Sequence, residues 1–467
     1  MLKNHIVEIL NKNFEYEPTE SQHVLISKLS EYIIDNFTKS IFLIKGYAGT
    51  GKTSIVNSIV KTLRQFENNS VLLAPTGRAA KVLTSYTGVN AYTIHKKIYR
   101  QKSSKDGFGS FVLNFNKSSN TFFIVDEASM INEQSKEISA FGSGNLLRDL
   151  IDFVESGKNC RLILIGDTAQ LPPVKLDISP ALDNNILESY GYKVIEVYLT
   201  DVIRQAKSSG ILNNATLIRN QIAIGNANMP NFKLNNFNDI EQISGVDLIE
   251  TIETAYGKYG MENVMVVNRS NKRANDYNGG IRNRILYREE EISQGDYLMV
   301  VKNNYFWLPE NENTEFIANG DIVELLRIRN IENLYGFRFA DATIRLIDYK
   351  DMEIDVKIIL DTLNSNTASL NYDDSRKLYN TIAEDHNNIK NKKKLFEKIR
   401  ENPYFNALQV KFAYAVTCHK AQGGQWKAVF VDQGYLTKEM INTEYLRWLY
   451  TAFTRATEKL YLINFKV

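Results

Sequence analysis

Short, uninterrupted apolar runs recur along this chain. Each ends in small and polar residues, and helical spacing follows several of them. With a polar first residue at 121, 161 and 263, the runs cover residues 41–44, 71–74, 121–125 and 161–165 in the first part and 263–267, 414–416, 429–431 and 460–463 in the last. Apolar runs of that length predict strands buried on both faces. Residues 54–63 and 445–455 carry apolar positions at helical spacing, and 5–12 and 21–36 read as amphipathic helices. Strands alternating with helices predict parallel α/β sheets, with ligands gathered at the strands' carboxyl edge. The pattern changes over residues 292–360, where short β-like runs (297–301, 322–326 and 342–346) alternate with turns and Asn319-Gly320 signals a tight one. That stretch predicts a small antiparallel barrel. Residues 373–401 read as charged helices turning Leu378, Ile382, Ile389, Leu395 and Ile399 inward, with the lysines at 390 and 392–394 on a solvated face. Residues 101–120 are polar and turn-rich with three phenylalanines, which fits a β-hairpin. Those rings could stack on bases or could form the hairpin's own core.

The first strand opens into residues 46–53. There Gly46, Gly51, Lys52 and Thr53 fill every fixed position of the phosphate-loop pattern G-x-x-x-x-G-K-[ST], and Gly49 adds a further glycine. Strand, glycine loop and helix is the context this pattern needs. The glycines let backbone N–H groups curl around an anion, and the helix N-terminus adds its positive end. Lys52 is expected to reach the β- and γ-phosphates, and the Thr53 hydroxyl to ligate Mg²⁺. The run at 121–125 ends in Asp126 and Glu127. Asp126 is expected to hold the metal through its water shell, and Glu127 to polarise the attacking water. The run at 161–165 leads to Gly166, Asp167 and Gln170. Gln170 suits either a γ-phosphate sensor or a polar turn before Pro172 and Pro173.

Other strand ends carry weaker signals. Pro75, Thr76 and Arg78 follow the 71–74 run and fit either a phosphate-backbone contact or a plain strand-to-helix turn with solvated charge. His95, two residues after Thr93, is a lone histidine of the kind more often structural than functional. Gln22 lies three residues after Thr19, as in a capping box, although its amide also matches an adenine edge; the spacing favours the cap. Asn268 ends the 263–267 run much as Arg78 follows 71–74.

Bulk properties narrow the class. At 467 residues, three or four domains are expected. Hydrophobic residues at 43% and charged residues at 24% are those of a globular protein, and no run is long and apolar enough to span a membrane. The first residues do not read as a secretion signal. Two cysteines, Cys160 and Cys418, cannot make a disulfide framework or a zinc site, which points to a reducing, cytoplasmic setting. A net charge of +2 decides nothing about nucleic acid, because a local basic groove can sit on a neutral protein.

Taken in order, these pieces resemble a superfamily 1 helicase of the B type, similar to RecD-like helicases and the phage Dda helicase. Residues 46–53 resemble motif I, 75–80 motif Ia, 93–95 motif Ib, 126–130 motif II, 166–170 motif III, 417–423 motif V and 450–456 motif VI. The resemblance implies two RecA-like parallel-sheet domains with ATP in the cleft between them. Domain 1A would cover 1–197, with 101–120 as a strand-separating pin (1B). Domain 2A would cover 198–291 and 408–467, and 292–407 would form an inserted SH3-like barrel with a helical extension (2B). It makes Gln22 an adenine reader beside Gly46, Gly49, Gly51, Lys52, Thr53 and Ser54. Arg204 and Arg455 become arginine fingers that complete catalysis with Lys52, Glu127 and Gln170, while Thr53 and Asp126 hold Mg²⁺. Pro75, Thr76, Arg78, Thr93, His95, Asn268, Thr417, His419 and Lys420 would touch the nucleic-acid strand. One departure is Gln425, where the family often has a glutamate. The implied activity is ATP-driven unwinding of DNA, 5′ to 3′ along single strands and at forked duplexes, by a monomer with no membrane partner. An RNA helicase and a nucleotide-dependent switch that does not unwind both stay open from the residues alone.

Overall fold

The computed structural model describes residues 2–14, 16–35, 39–102, 110–133, 142–202, 208–308, 317–347 and 352–465. The chain forms two compact units. The first gathers Met1–Lys102, Ser110–Asp239 and Leu436–Thr454; the second gathers Ile240–Tyr435 and Arg455–Val467.

In the first unit the strands are β1 (Ser40–Gly46), β2 (Asn69–Ala74), β3 (Ala91–Thr93), β4 (Tyr99–Lys102), β5 (Ser110–Leu113), β6 (Thr121–Val125), β7 (Arg161–Gly166) and β8 (Lys193–Leu199). Six of them form a sheet in the order β3-β2-β6-β7-β1-β8, parallel throughout. β1, β6 and β7 are buried along their whole length, as their continuous apolar sequences require. Alternation along β1 sends Phe42 and Ile44 to one face, against the Leu2–Asn13, Glu20–Ile34 and Lys52–Gln65 helices, and Ile41 and Leu43 to the other. β4 and β5 pair as a hairpin over 99–113 rather than the expected 101–120, and its tip at 103–109 lies outside the described residues. Phe111 packs on the core, whereas Phe115 is 72% exposed with the Arg100 guanidinium over its ring. The first unit runs past residue 197 through the Gly210–Ala223 helix, and it takes in the Thr443–Phe453 helix from near the chain's end.

The second unit holds β9 (Ile240–Ile243), β10 (Val264–Asn268), β11 (Tyr297–Val300), β12 (Ile322–Leu334), β13 (Phe337–Leu346), β14 (Met352–Ile359), β15 (Leu408–Phe412), β16 (Ala415–Thr417), β17 (Trp426–Asp432) and β18 (Ala456–Ile463). A second all-parallel sheet has the order β16-β10-β17-β18-β9. β11 to β15 close a barrel, antiparallel except where β15 joins β14. The expected turn at Asn319-Gly320 is present just before β12, with Gly320 at φ 95° and Asp321 N donating to Ala318 O (3.1 Å); the long β12–β13 hairpin turns at Tyr335-Gly336, both at positive φ (54° and 76°), the pairing a two-residue hairpin needs. The Tyr372–Glu384 and Lys392–Arg400 helices bury Leu378, Ile382 and Ile399 against Phe337, Phe339 and Ile359 of the barrel. Barrel and sheet share one core, and Asp296 fixes the junction. Its buried carboxylate accepts from Arg282 on both oxygens (3.0 Å each), from Arg288 (2.6 Å) and from the Tyr414 hydroxyl (2.9 Å). The expected class, two parallel-sheet domains with a hairpin and a barrel bearing a helical extension, is the architecture found. Among the described residues no helix is long and apolar enough to cross a membrane.

Candidate active site and strand-binding edges

The phosphate loop leaves β1 and closes at the first residue of the Lys52–Gln65 helix. Gly49 and Gly51 take left-handed φ values of 76° and 81°, which an L side chain would strain. Gly46 is needed for space, since a β-carbon there would stand 3.0 Å from both Lys52 Cγ and Thr50 Oγ1. Lys52 Nζ donates to Gly46 O (2.7 Å) and Tyr47 O (2.9 Å), and lies 3.8 Å from Asp167 Oδ2. Thr53 and Ser54 occupy the helix's first turn, where backbone N–H groups have no intrahelical partner. Gln22 is buried and does two things. Its Oε1 accepts from Thr19 N (2.9 Å), completing the capping box, and its Nε2 donates to Thr50 O in the loop (2.9 Å).

β7 lies between β1 and β6, so the Gly166-Asp167 turn stands between the loop and the carboxylates. Burial and the neighbouring Glu127 charge push the Asp126 carboxyl up to about 6, against the pull of Lys52 and of the Glu127 N–H. Glu127 itself sits at φ 52°, in the left-handed region. Backbone strain in a non-glycine residue at this point is the kind found at functional sites. A divalent cation fits this pair: it would offset both the burial of the Asp126 charge and the repulsion from Glu127. Among the described residues no cluster of three or more His, Cys, Asp or Glu could hold a metal. Gln170 is buried on the same turn, and Asp167 is capped by Ala169 N (2.9 Å).

The residues expected at a nucleic-acid strand fall on the carboxyl edges of both sheets. In the first unit Ala74 pairs with Thr93 across β2 and β3, so Pro75, Thr76 and Thr93 are neighbours. Thr76 and Thr93 each cap a helix, accepting from Ala79 N and Lys96 N (3.2 Å each). A capping hydroxyl keeps its own hydrogen to donate. Arg78 lies in the first turn of the Gly77–Thr87 helix. Burial depresses His95 to about 4, so its ring is neutral at physiological pH. In the second unit Asn268 pairs in register with Thr417. Asn268 is fully buried, and neither atom of its amide has a partner among the described residues. His419, two residues after Thr417, is exposed, and burial together with nearby Lys411 lowers Lys420 to about 8. Lys411, on the barrel strand β15, was not anticipated; its position follows from chain pairing that no local pattern reveals.

The two proposed arginine fingers stand differently. Arg204 lies outside the described residues. Arg455 is buried in the second unit, where its guanidinium donates to Gly424 O (3.1 Å). Sequence reading missed Tyr450 as a site residue, although it lies within motif VI. Its hydroxyl donates to Asp167 Oδ2 and accepts from Ala48 N in the phosphate loop, both at 2.7 Å.

Comparison with known proteins agrees with this geometry. Residues 31–229 match the model of an AAA domain, and 412–463 that of a UvrD-like helicase C-terminal domain. An uncharacterized protein of Acanthamoeba polyphaga mimivirus is 26% identical over 94% of this chain and 98% of its own length. The ATP-dependent RecD2 DNA helicase of Deinococcus radiodurans is 24% identical over 90% of this chain but only 46% of that protein, so this chain spans less than half of it. A structure of Pif1 helicase, described as two coordinating copies unwinding forked double-stranded DNA, shares the fold: TM-score 0.50 and 14% identity, covering 97% of this chain and 93% of that one. With a complete phosphate loop, strand-end carboxylates and two parallel sheets in this order, these similarities support a superfamily 1 helicase of the B type.

Proposed function

We propose that this chain is an ATP-dependent DNA helicase that translocates 5′ to 3′ on single-stranded DNA and opens the duplex ahead of it. The observation that carries the reading is the folded phosphate loop, with Lys52 held beside Asp167 one strand away from the Asp126-Glu127 pair. Lys52 neutralises the β- and γ-phosphates, and Glu127 orients the attacking water. Gln170, Arg204 and Arg455 respond to the γ-phosphate, the arginines by stabilising charge that develops as it leaves. Gln22 reads the base with the amide hydrogen and lone pair that the cap and Thr50 leave over. Thr53 and Asp126 would hold Mg²⁺, which supplies positive charge at the phosphate oxygens. Thr76, Thr93 and His95 on one sheet edge, and Asn268, Thr417, His419 and Lys420 on the other, grip the strand with Pro75 and Arg78. Contacts of this kind, to phosphate and sugar, predict little sequence preference and strong salt dependence. We place the work in a monomer divided into domains 1A, 1B, 2A and 2B as the family pattern implies.

Strand displacement with ATP and Mg²⁺ on matched duplexes bearing a 5′ or a 3′ tail tests this. Unwinding of the 5′-tailed duplex alone is expected. Unwinding of only the 3′-tailed duplex would reverse the direction, and activity confined to RNA duplexes would replace the substrate.

A further inference from the structure

One helix ties together the phosphate loop and the turn after β7. Arg447, Tyr450 and Thr451 lie at i, i+3 and i+4 of the Thr443–Phe453 helix and so share one face. All three bind the turn after β7. Arg447 donates to Thr168 O (2.9 Å) and Gln170 O (3.5 Å), and Thr451 Oγ1 accepts from Leu171 N (2.8 Å). Tyr450 donates to Asp167 and, on its other side, accepts from Ala48 N. The phenol's one hydrogen goes to the turn and its one acceptance comes from the loop, and the residue is 1% exposed. Because Asp167 also faces Lys52 at 3.8 Å, the contacts close a ring: Ala48, Tyr450, Asp167, Lys52 and back to the loop carbonyls. Two further contacts brace the loop from the Gly210–Ala223 helix. The Arg219 guanidinium lies 4.4 Å from the centre of the Tyr47 ring, and Leu212 fills the space beside Gly49.

We propose that Tyr450 is a positioning residue for ATP hydrolysis: its hydroxyl locks the phosphate loop to the turn bearing Asp167 and Gln170, so that the lysine and the γ-phosphate-sensing glutamine keep one mutual geometry. The inference rests on the ATPase reading of this site. Tyr450 touches no reacting atom; it acts through Ala48 and Asp167. A small displacement of either loop costs turnover more than binding, because most phosphate-binding N–H groups stay in place when only the loop's tip is released.

The test is steady-state ATP hydrolysis by the full chain with saturating single-stranded DNA and Mg²⁺, comparing wild type, Tyr450→Phe and Tyr32→Phe. Tyr32→Phe is the matched control. It too removes a buried hydroxyl with two hydrogen bonds, to Ser40 O (3.2 Å) and Leu162 O (3.1 Å), but at the opposite edge of the same sheet. Tyr450→Phe should lower kcat by about 10-fold or more while KM for ATP moves less than about 3-fold, the split expected of misplaced groups. Tyr32→Phe should lower the melting temperature comparably and leave kcat within about 2-fold. Combining Tyr450→Phe with Asp167→Asn should add little to either alone, as for residues acting through one another. A wild-type kcat in Tyr450→Phe, or equal losses in the two phenylalanine variants, overturns the inference while leaving the ATPase reading intact. An inactive wild type overturns both. If Tyr450→Phe does not fold, Asp167→Asn decides: an unchanged kcat there also overturns it.

Discussion

In the first unit β1 ends in Gly46, and an eight-position glycine loop leads into its helix; in the second β10 ends in Asn268, and Ser270 caps the next helix directly through Arg273 N. Both sheets are parallel and both present polar residues at the carboxyl edge. Their polar groups are satisfied differently. In the first unit Lys52, Asp167, Tyr450, Thr76 and Thr93 all have partners within the protein. In the second the Asn268 amide is buried, and neither end has a partner among the described residues. An orphaned buried amide costs about 1–3 kcal/mol, so such a group calls for a partner. The polar groups named on the first edge are thus already partnered within the chain, whereas the Asn268 amide on the second has no partner among the described residues.

The largest effect should come from Lys52→Ala, which removes the cation from the first edge. DNA-stimulated hydrolysis should fall on the order of 10³-fold. Residual turnover at a tenth of wild type would mean that the loop is not the catalytic one. Next, Asp296→Ala strips the shared partner from Arg282 and Arg288 and should destabilise the second unit by about 3–5 kcal/mol, the cost of unpaired buried charge. Urea unfolding followed by a probe in that unit would read this; an unchanged midpoint would show that the junction does not depend on the carboxylate.

Asp126 gives the third prediction. Its folded-state value, about 6, exceeds the ordinary 3.8, so the folded state holds this proton more tightly than the unfolded chain does. The stabilisation is complete below about pH 4 and is lost as pH rises through 6. Asp126→Asn should therefore stabilise the nucleotide-free protein at pH 8 by on the order of 1–3 kcal/mol and have little effect at pH 4, while removing hydrolysis. Melting curves at the two pH values check the sign. Fourth, Asn268→Ala should weaken single-stranded DNA binding about tenfold and yet raise the melting temperature of the unliganded chain, since it deletes a buried amide with no partner among the described residues. A fall in both would put Asn268 among ordinary structural residues. The smallest effect concerns His95. With its value near 4, it stays neutral from pH 5.5 to 8, so His95→Gln should leave the pH dependence of DNA affinity over that range unchanged. A difference in slope, measured by titration at fixed salt, would show that the ring gains a proton on binding.

The sequence determined a good deal by itself. Continuous apolar runs fixed the buried strands, because a strand covered on both faces cannot afford alternation. Gly46, Gly51, Lys52 and Thr53 fixed the phosphate loop, because the left-handed turns and the close approach at Gly46 admit nothing larger. The paired carboxylates after 121–125 were legible for the same local reason. The capping role of Gln22 was legible from its spacing, but not its second bond to Thr50, which depends on where the Glu20–Ile34 helix lies against the loop. The Tyr335-Gly336 turn was missed because a tyrosine at positive φ is locally disfavoured; the twist of the long hairpin imposes it. The tertiary structure alone decided that β7 stands between β1 and β6. It also decided that the Thr443–Phe453 helix, some 400 residues from the phosphate loop in sequence, sets Tyr450 against Ala48. Strand order and contacts between distant segments arise from burying whole faces against one another, and no short stretch of sequence encodes its partner in that packing.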